Sequence, residues 1–101
     1  MNSTIARGVI FARRPGEERF QIAIEIGTPY QCGPEEWACP VSLEPLYAKA
    51  DLHGIDSFQA LCLAIRFGHN LLTGFLEDGG TLTFEDGEPF PLDSSSSTPK
   101  P

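Results

Sequence analysis

The stretch GIDSFQALCLAIRFGHNLLTGFL, residues 54–76, decides the fold because it predicts one long helix. Asp56 suits the N-cap position, where its side chain accepts a hydrogen bond from a free backbone N–H, and Gln59 follows at the capping-box spacing. The glycines of EDGG, residues 77–80, predict the end of the helix. About 20 residues make a rod of about 30 Å, long enough to cross a small sheet.

Apolar residues surround nearly the whole circumference of this helix. At 100° per residue, the stripe that we expect to face the sheet contains Phe58, Leu61, Cys62, Ile65, Leu72 and Leu76. A second apolar stripe, nearly opposite, contains Ala60, Leu63, Ala64, Phe67 and Leu71. Because one sheet covers only one side of a helix, the second stripe needs another cover.

A second copy of the chain is the cover that we predict for the second stripe. Leaving its large side chains in water would forgo about 1.5–3 kcal/mol each. A chain of this size also has a modest core, which association commonly supplements. The expected homodimer interface is therefore Ala60, Leu63, Ala64, Phe67 and Leu71, in an isologous contact. The alternative is a monomer in which Phe90, Leu92 and the connector before the helix cover this stripe.

The clearest strands are residues 4–13 and 18–28, which form a predicted β-hairpin. The second strand alternates apolar and polar or small residues with a period of two, its apolar members being Phe20, Ile22, Ile24 and Ile26. Pro15 and Gly16 between the strands favour a turn, since proline presets φ and glycine permits positive φ.

A third strand is predicted in EWACPVSLE, residues 36–44. Its shared apolar face contains Trp37, Cys39, Val41 and Leu43. Pro40 cannot donate a ladder hydrogen bond, so it predicts a strand at the sheet edge or a bulge.

The remaining segments complete an α+β prediction. Residues 27–36 are interpreted as a loop, residues 46–54 as a connector and residues 81–86 as a short last strand. The expected fold is an antiparallel sheet of about four strands with one long helix across one face, the first three strands forming a meander. This single domain spans residues 1–92, and the Ser/Pro-rich tail 93–101 is predicted to be disordered.

Charge narrows the possible partners. Seven basic and fourteen acidic residues give a net charge of −7, which repels phosphate backbones and anionic membranes. A basic protein or peptide is electrostatically more compatible, although a solubility role explains the acidity equally simply. No stretch of about 18 apolar residues predicts a membrane span, and the first residues lack a signal-peptide pattern.

The cysteines indicate a reducing compartment. Three of them, Cys32, Cys39 and Cys62, form no C-x-x-C pair, which disfavours a disulfide framework and a zinc ribbon. Cys62 is expected to be a buried apolar group within the helix. The cytoplasm is therefore the predicted location.

Few residue sets could carry chemistry. His69 is predicted to face the core as a hydrogen-bonded histidine, and with Trp37 it marks a candidate pocket between helix and sheet. A nucleophilic set of Cys32 or Cys39 with His53 and Asp56 can be written, without family-type flanking sequence to support it. The acidic residues at 77–88 lack an EF-hand pattern and indicate a solvated edge. We expect no catalytic residue, cofactor or metal.

Two motifs carry a resemblance. WACPVSL, residues 37–43, and GIDSFQALCLAI, residues 54–65, resemble a family of small bacterial domains of unknown function. These domains pair a Trp-x-Cys strand with a helix that begins Gly-x-Asp-Ser-x-Gln-Ala-Leu. The resemblance covers about residues 5–84 and implies no activity. Some such domains lie near toxin–immunity genes, which is compatible with an inhibitor-like binding protein.

Three function hypotheses follow. The first is a non-enzymatic, dimeric protein that binds a protein partner, for example in the manner of an immunity protein. The second is a small-ligand module with the Trp37 and His69 pocket. The third is a cysteine- or histidine-dependent enzyme, which the residues support least.

Overall fold

The computed structural model describes residues 3–92, so the predicted disorder of the tail lies outside the described residues. The described part forms six strands and one helix. They are β1 (Thr4–Arg13), β2 (Phe20–Gly27), β3 (Tyr30–Gly33), β4 (Glu36–Glu44), β5 (Tyr47–Gly54), α1 (Ser57–Glu77) and β6 (Thr81–Thr83). The α+β class with one helix is confirmed, and the prediction of about four strands is wrong.

The sheet is antiparallel and curled around a long fourth strand. The order is β3-β4-β2-β1-β6, with β5 paired along the other edge of β4. The predicted neighbours β1, β2 and β4 are adjacent, and β6 returns to the free edge of β1 after the helix. The two strands that sequence analysis missed, β3 and β5, both pair with β4.

Pro40 lies in an interior strand, so the predicted edge position is wrong, whereas the alternative of a bulge agrees with a register shift just after it, between Val41 and Leu43. One edge of β4 pairs with β5 along most of its length, including Pro40 opposite Asp51. The other edge pairs with β3 up to Ala38 and with β2 from Val41 onward. Pro40 lies where the neighbour changes, and this gap explains why a residue without an N–H is tolerated there.

The helix begins and ends where the sequence predicts. The Asp56 side chain accepts a hydrogen bond of 2.8 Å from the backbone N–H of Gln59. The Gln59 side chain accepts one of 2.8 Å from the backbone N–H of Ile55, so both residues satisfy otherwise free donors. At the other end, Gly79 takes a φ of 97°, and the backbone N–H of Gly80 donates to the Phe75 carbonyl.

The helix packs mainly over β4 and β5 through small residues. Its buried residues are Ala60, Ala64, Gly68, Leu72 and Phe75. The sheet supplies most of the bulk of the core, in the side chains of Ile10, Ile22, Val41, Leu43 and Leu82. Small side chains let the helix axis approach the sheet closely, while larger ones on its flanks fill the sides.

The prediction of which helix stripe faces the sheet is wrong. Phe58, Cys62, Ile65 and Leu76 were expected to face the sheet and are exposed. Only Leu61 and Leu72 of that stripe reach the core, as a half-buried and a buried residue. The sequence criterion assigned the core to the bulkiest side chains, whereas the helix turns Ala60, Ala64 and Gly68 inward and buries bulky residues, Leu72 and Phe75, only towards its end.

Gly68 offers a test of this close approach. A Cβ added there would lie 3.6 Å from Leu43 Cδ1, which is ordinary van der Waals contact. Gly68→Ala should therefore stabilise the protein by up to about 1 kcal/mol, because alanine loses less backbone entropy in a helix. Urea unfolding measures this shift. Gly80→Ala should have the opposite effect, since its Cβ would overlap the Phe75 ring. A destabilised Gly68→Ala variant would mean that the helix lies closer to Leu43 than described.

Candidate functional site

An apolar stripe of α1 faces away from the core. It contains Phe58, Cys62, Ile65 and Leu76, together with the polar His69, and we call these five residues the outer stripe. Phe58 is 73% exposed, Ile65 52% and Leu76 38%. Large apolar side chains aligned on one face of a helix are a common mark of an interaction surface.

Charge is nearly absent from the helix that carries the outer stripe. Over Ser57–Glu77, Arg66 and Glu77 are the charged residues, so the helix contributes no net charge to a chain of −7. Like-charge repulsion is therefore weaker at this face than over the rest of the surface.

A shallow apolar groove of about 210 Å³ borders the outer stripe on the β2 side. Ile24 and Ile26 of β2 form one wall, and Ile65 forms part of the other. Phe90 and Leu92 line its end, where the backbone N–H of Phe90 donates to the Leu82 carbonyl at 3.0 Å. The outer stripe therefore continues into a partly exposed apolar surface of the sheet.

The predicted dimer interface lies largely against the chain's own sheet. Ala60 and Ala64 are completely buried in the core, and Leu63, Phe67 and Leu71 are half-buried. The Phe67 ring packs edge-to-face on Tyr47 of β5, with 5.1 Å between ring centroids. Part of the segment interpreted as a connector thus covers this stripe, as the monomer alternative proposed, while Phe90 and Leu92 lie on the groove side.

The residues of the predicted pocket lie in different places. Trp37 is half-buried and pairs with Gly54 next to the start of the helix. His69 lies more than three turns further along, and it is exposed rather than core-facing, with Nδ1 3.4 Å from Thr73 Oγ1. His69 lines the apolar groove, whose lining residues do not include Trp37.

Three chemically different side chains meet on the outer face of the sheet, opposite the helix. Cys32 of β3 lies with its Sγ 3.9 Å from Nδ1 of His53, and Glu36 Oε2 lies 3.0 Å from the same nitrogen. The donor atoms of the three residues all lie within 4.8 Å of one another. The nucleophilic set considered from the sequence therefore included Cys32 and His53, which do lie together, but not Glu36. Its third member, Asp56, caps the helix instead.

The surroundings of Cys32 disfavour a thiolate nucleophile. Desolvation first, and then the Glu36 and Asp51 carboxylates, raise the pKa of the Cys32 thiol above its usual value. The nucleophile in cysteine enzymes is the thiolate, and the pKa of the catalytic thiol is lowered so that the thiolate forms near neutral pH. Cys39 is buried, and its Sγ donates to the Gly27 carbonyl at 3.4 Å, so it does not join the cluster. The two cysteines therefore give an enzyme little support.

Comparison with known proteins identifies the family. Residues 9–92 match the family described as Domain of unknown function (DUF6968). The chain belongs to this family. The DUF6968 match begins in β1 and ends at Leu92, so it includes the outer stripe, the apolar groove and the Cys32, Glu36 and His53 cluster. It agrees with the resemblance to a domain of unknown function that the Trp37 and Gly54 motifs suggested.

Two further comparisons found no match for this DUF6968 chain. No curated protein matches this chain, and no solved structure matches it. Among residues 3–92, no helix combines the length and the apolar content needed to cross a lipid bilayer.

Proposed function

We propose that this DUF6968 protein is a non-enzymatic binding protein that forms a homodimer through the outer stripe. The observation that carries the proposal is the alignment of Phe58, Ile65 and Leu76 as exposed residues on one helix face. Complete burial of a large apolar side chain contributes about 1.5–3 kcal/mol, and these three still have 38–73% of their surface to cover in each copy. Together they supply a substantial share of the free energy of a micromolar complex, about 8 kcal/mol.

A second copy is the occupant that fits this face best. Two antiparallel copies of α1 can place the same stripe on each side of a two-fold axis, so each apolar residue meets an apolar partner. The helix has no net charge, which allows two chains of −7 each to approach there with little repulsion. Because Ala60 and Ala64 are buried against the chain's own sheet, the proposed interface moves from the second stripe to the outer stripe.

Ile65→Glu tests the dimer. Ile65 is 52% exposed, so a glutamate there should leave the fold intact and place like charges in the interface. We expect the mass from light scattering to fall from that of two chains to that of one. Val9→Glu is the matched control, since Val9 is 48% exposed and lies on the opposite face of the sheet.

Three outcomes would contradict the dimer. The wild-type protein could have the mass of one chain at every concentration up to the millimolar range. Both glutamate variants could keep the mass of two chains, which would place an interface elsewhere. Val9→Glu alone could become monomeric, which would place the interface on the outer face of the sheet.

A protein partner is the wider role that we propose for the dimer. The acidic residues lie outside the helix apart from Glu77, so dimerisation through the outer stripe leaves the acidic surface available. Such a surface favours a basic partner, as an immunity-like inhibitor would need. We place the protein in the cytoplasm, where its exposed thiols at Cys32 and Cys62 would remain reduced.

A cleft at the far end of the helix supports a second candidate, small-ligand binding. Its volume is about 540 Å³, within the usual range of about 300–1,000 Å³, whereas the groove beside His69 is smaller. Leu71 and Phe75 form an apolar wall, and the Arg14 guanidinium lies 5.3 Å from the Phe75 ring centroid. Leu71→Trp should fill this cleft and abolish ligand binding without changing the dimer. Retained ligand binding would place the ligand elsewhere.

A further inference from the structure

Cys32, Glu36 and His53 offer three kinds of metal-binding atom on a rigid surface. They come from three neighbouring strands, β3, β4 and β5, and their side chains share the face of the sheet opposite the helix. The backbone pairings of Gly33 with Glu36 and of Ala38 with His53 fix the relative positions of the strands, and Cys32 lies at the ladder irregularity between the paired Gln31 and Gly33. A site held by paired strands keeps its geometry better than one on loops.

The spacing of the three donor atoms suits a tetrahedral ion. Bond lengths of about 2.0–2.3 Å put neighbouring ligand atoms of tetrahedral zinc about 3.3–3.8 Å apart. The observed separations, 3.9 Å from Cys32 Sγ and 3.0 Å from Glu36 Oε2 to His53 Nδ1, lie on either side of this range. Small side-chain rotations would therefore bring all three atoms to bonding distance of one ion.

Without an ion, the contacts among Cys32, Glu36 and His53 contribute little to the stability of the fold. The His53 and Glu36 side chains are 52% and 54% exposed, and ion pairs in such positions contribute about 0–1 kcal/mol. A divalent cation would hold the sulfur, the imidazole and the carboxylate together, because each of the three offers it a bonding atom.

We propose that Cys32, Glu36 and His53 bind one zinc ion, with water in the fourth position. Sulfur and imidazole donors suit zinc, whereas calcium and magnesium require oxygen donors. Three protein ligands leave one position for water or for a ligand from a partner protein. The proposal does not depend on the dimer, since the cluster lies on the opposite face of the sheet from the outer stripe.

Cobalt and zinc titrations of the full chain test the site. The untagged, chelator-treated protein should bind one Co²⁺ per chain, with a sulfur-to-cobalt charge-transfer absorption that Zn²⁺ abolishes and Mg²⁺ does not. Cys32→Ser should remove this absorption. Glu36→Gln and His53→Gln should each weaken zinc binding by at least about tenfold, as losses of 10- to 100-fold already follow when only a supporting group is removed.

Matched controls are present in the chain. Cys62 and His69 belong to the outer stripe, on the other side of the sheet from the cluster, so Cys62→Ser and His69→Gln should leave both metal titrations unchanged whatever their effect on the dimer. Zinc at about one hundred times its Kd should raise the melting midpoint of the wild-type protein by at least about 10 °C. The Cys32→Ser variant should show the apo midpoint with or without zinc.

Several results would overturn the zinc site. One is cobalt binding without the charge-transfer absorption, and another is an absorption that persists in Cys32→Ser or disappears in Cys62→Ser. Unchanged zinc affinity in both Glu36→Gln and His53→Gln would do so too. Because the ligands are exposed, circular dichroism should show a folded protein for each variant, so lost binding cannot be attributed to unfolding.

Discussion

Ala64→Glu should unfold the protein, whereas Ile65→Glu, one residue further along, should leave it folded. Ala64 is completely buried against the sheet, and Ile65 is more than half exposed. A carboxylate at position 64 would be buried without a partner, which costs about 3–5 kcal/mol or more. A domain of this length has only about 5–15 kcal/mol of stability in total. The pair therefore separates the two faces of α1.

Urea unfolding followed by circular dichroism measures both variants. We expect Ala64→Glu to lose most of its unfolding free energy or its cooperative transition, and Ile65→Glu to stay within about 1 kcal/mol of wild type at concentrations where the wild type is monomeric. The reverse order would show that the bulky stripe faces the sheet, as the sequence alone suggested, and would remove the outer stripe as a binding surface.

Leu43→Ala should be the second most damaging substitution. Leu43 is completely buried at the centre of the core, opposite Ile24 of β2 and beneath Gly68 of the helix. Removing its side chain loses transfer free energy and leaves a cavity between helix and sheet, so we expect a loss of about 3–5 kcal/mol. Directly above Leu43 the helix places Gly68, and the bulky buried helix residue nearby, Leu72, is already packed in the core, so little is free to fill the space.

Leu76→Ala is the control for that prediction. Leu76 belongs to the outer stripe and is 38% exposed, so its truncation should cost less than about 1.5 kcal/mol at concentrations where the protein is monomeric. Thermal or urea unfolding of the two variants provides the comparison. Equal losses at Leu43 and Leu76 would contradict the described packing of the helix.

The β1–β2 hairpin and the bounds of the helix were predicted correctly, because both depend on short stretches of sequence. The hairpin follows from the alternation in Phe20–Gly27 and from the turn at Pro15 and Gly16, where the Glu17 N–H donates to the Arg14 carbonyl. The helix bounds follow from Asp56 and the glycines at its end. Each of these features depends on residues within a few positions of one another, so one sequence suffices to identify it.

Two strands escaped prediction because their stability comes from pairing with β4. Strand β3 has only four residues between Pro29 and Pro34, a composition typical of a loop. Strand β5, with the sequence YAKADLHG, contains no β-branched residue and has low intrinsic strand propensity. Both become strands because the long β4 offers unpaired hydrogen-bonding groups on its two edges.

Two predictions failed for the same reason: which face of the helix packs on the sheet, and which residue joins Cys32 and His53. Both depend on how distant segments pack, which spacing along the chain does not determine. An all-round apolar helix leaves its core face ambiguous, and the side with Ala60, Ala64 and Gly68 wins because the sheet already supplies the bulk. Glu36 joins Cys32 and His53 through the register of strands that were not predicted.

Concentration-dependent thiol modification tests the proposed dimer most directly, because the three cysteines occupy three environments. Cys39 is buried in the core, Cys32 is exposed on the opposite face of the sheet, and Cys62 is exposed within the outer stripe. With a chelator present, mass spectrometry should show Cys39 unmodified and Cys32 modified at a constant rate at every protein concentration. Modification of Cys62 should slow about tenfold once the total protein concentration is about fifty times the Kd of the dimer, where about a tenth of the chains remain monomeric. Cys62 reacting at its dilute-solution rate at millimolar protein would contradict self-association through this helix.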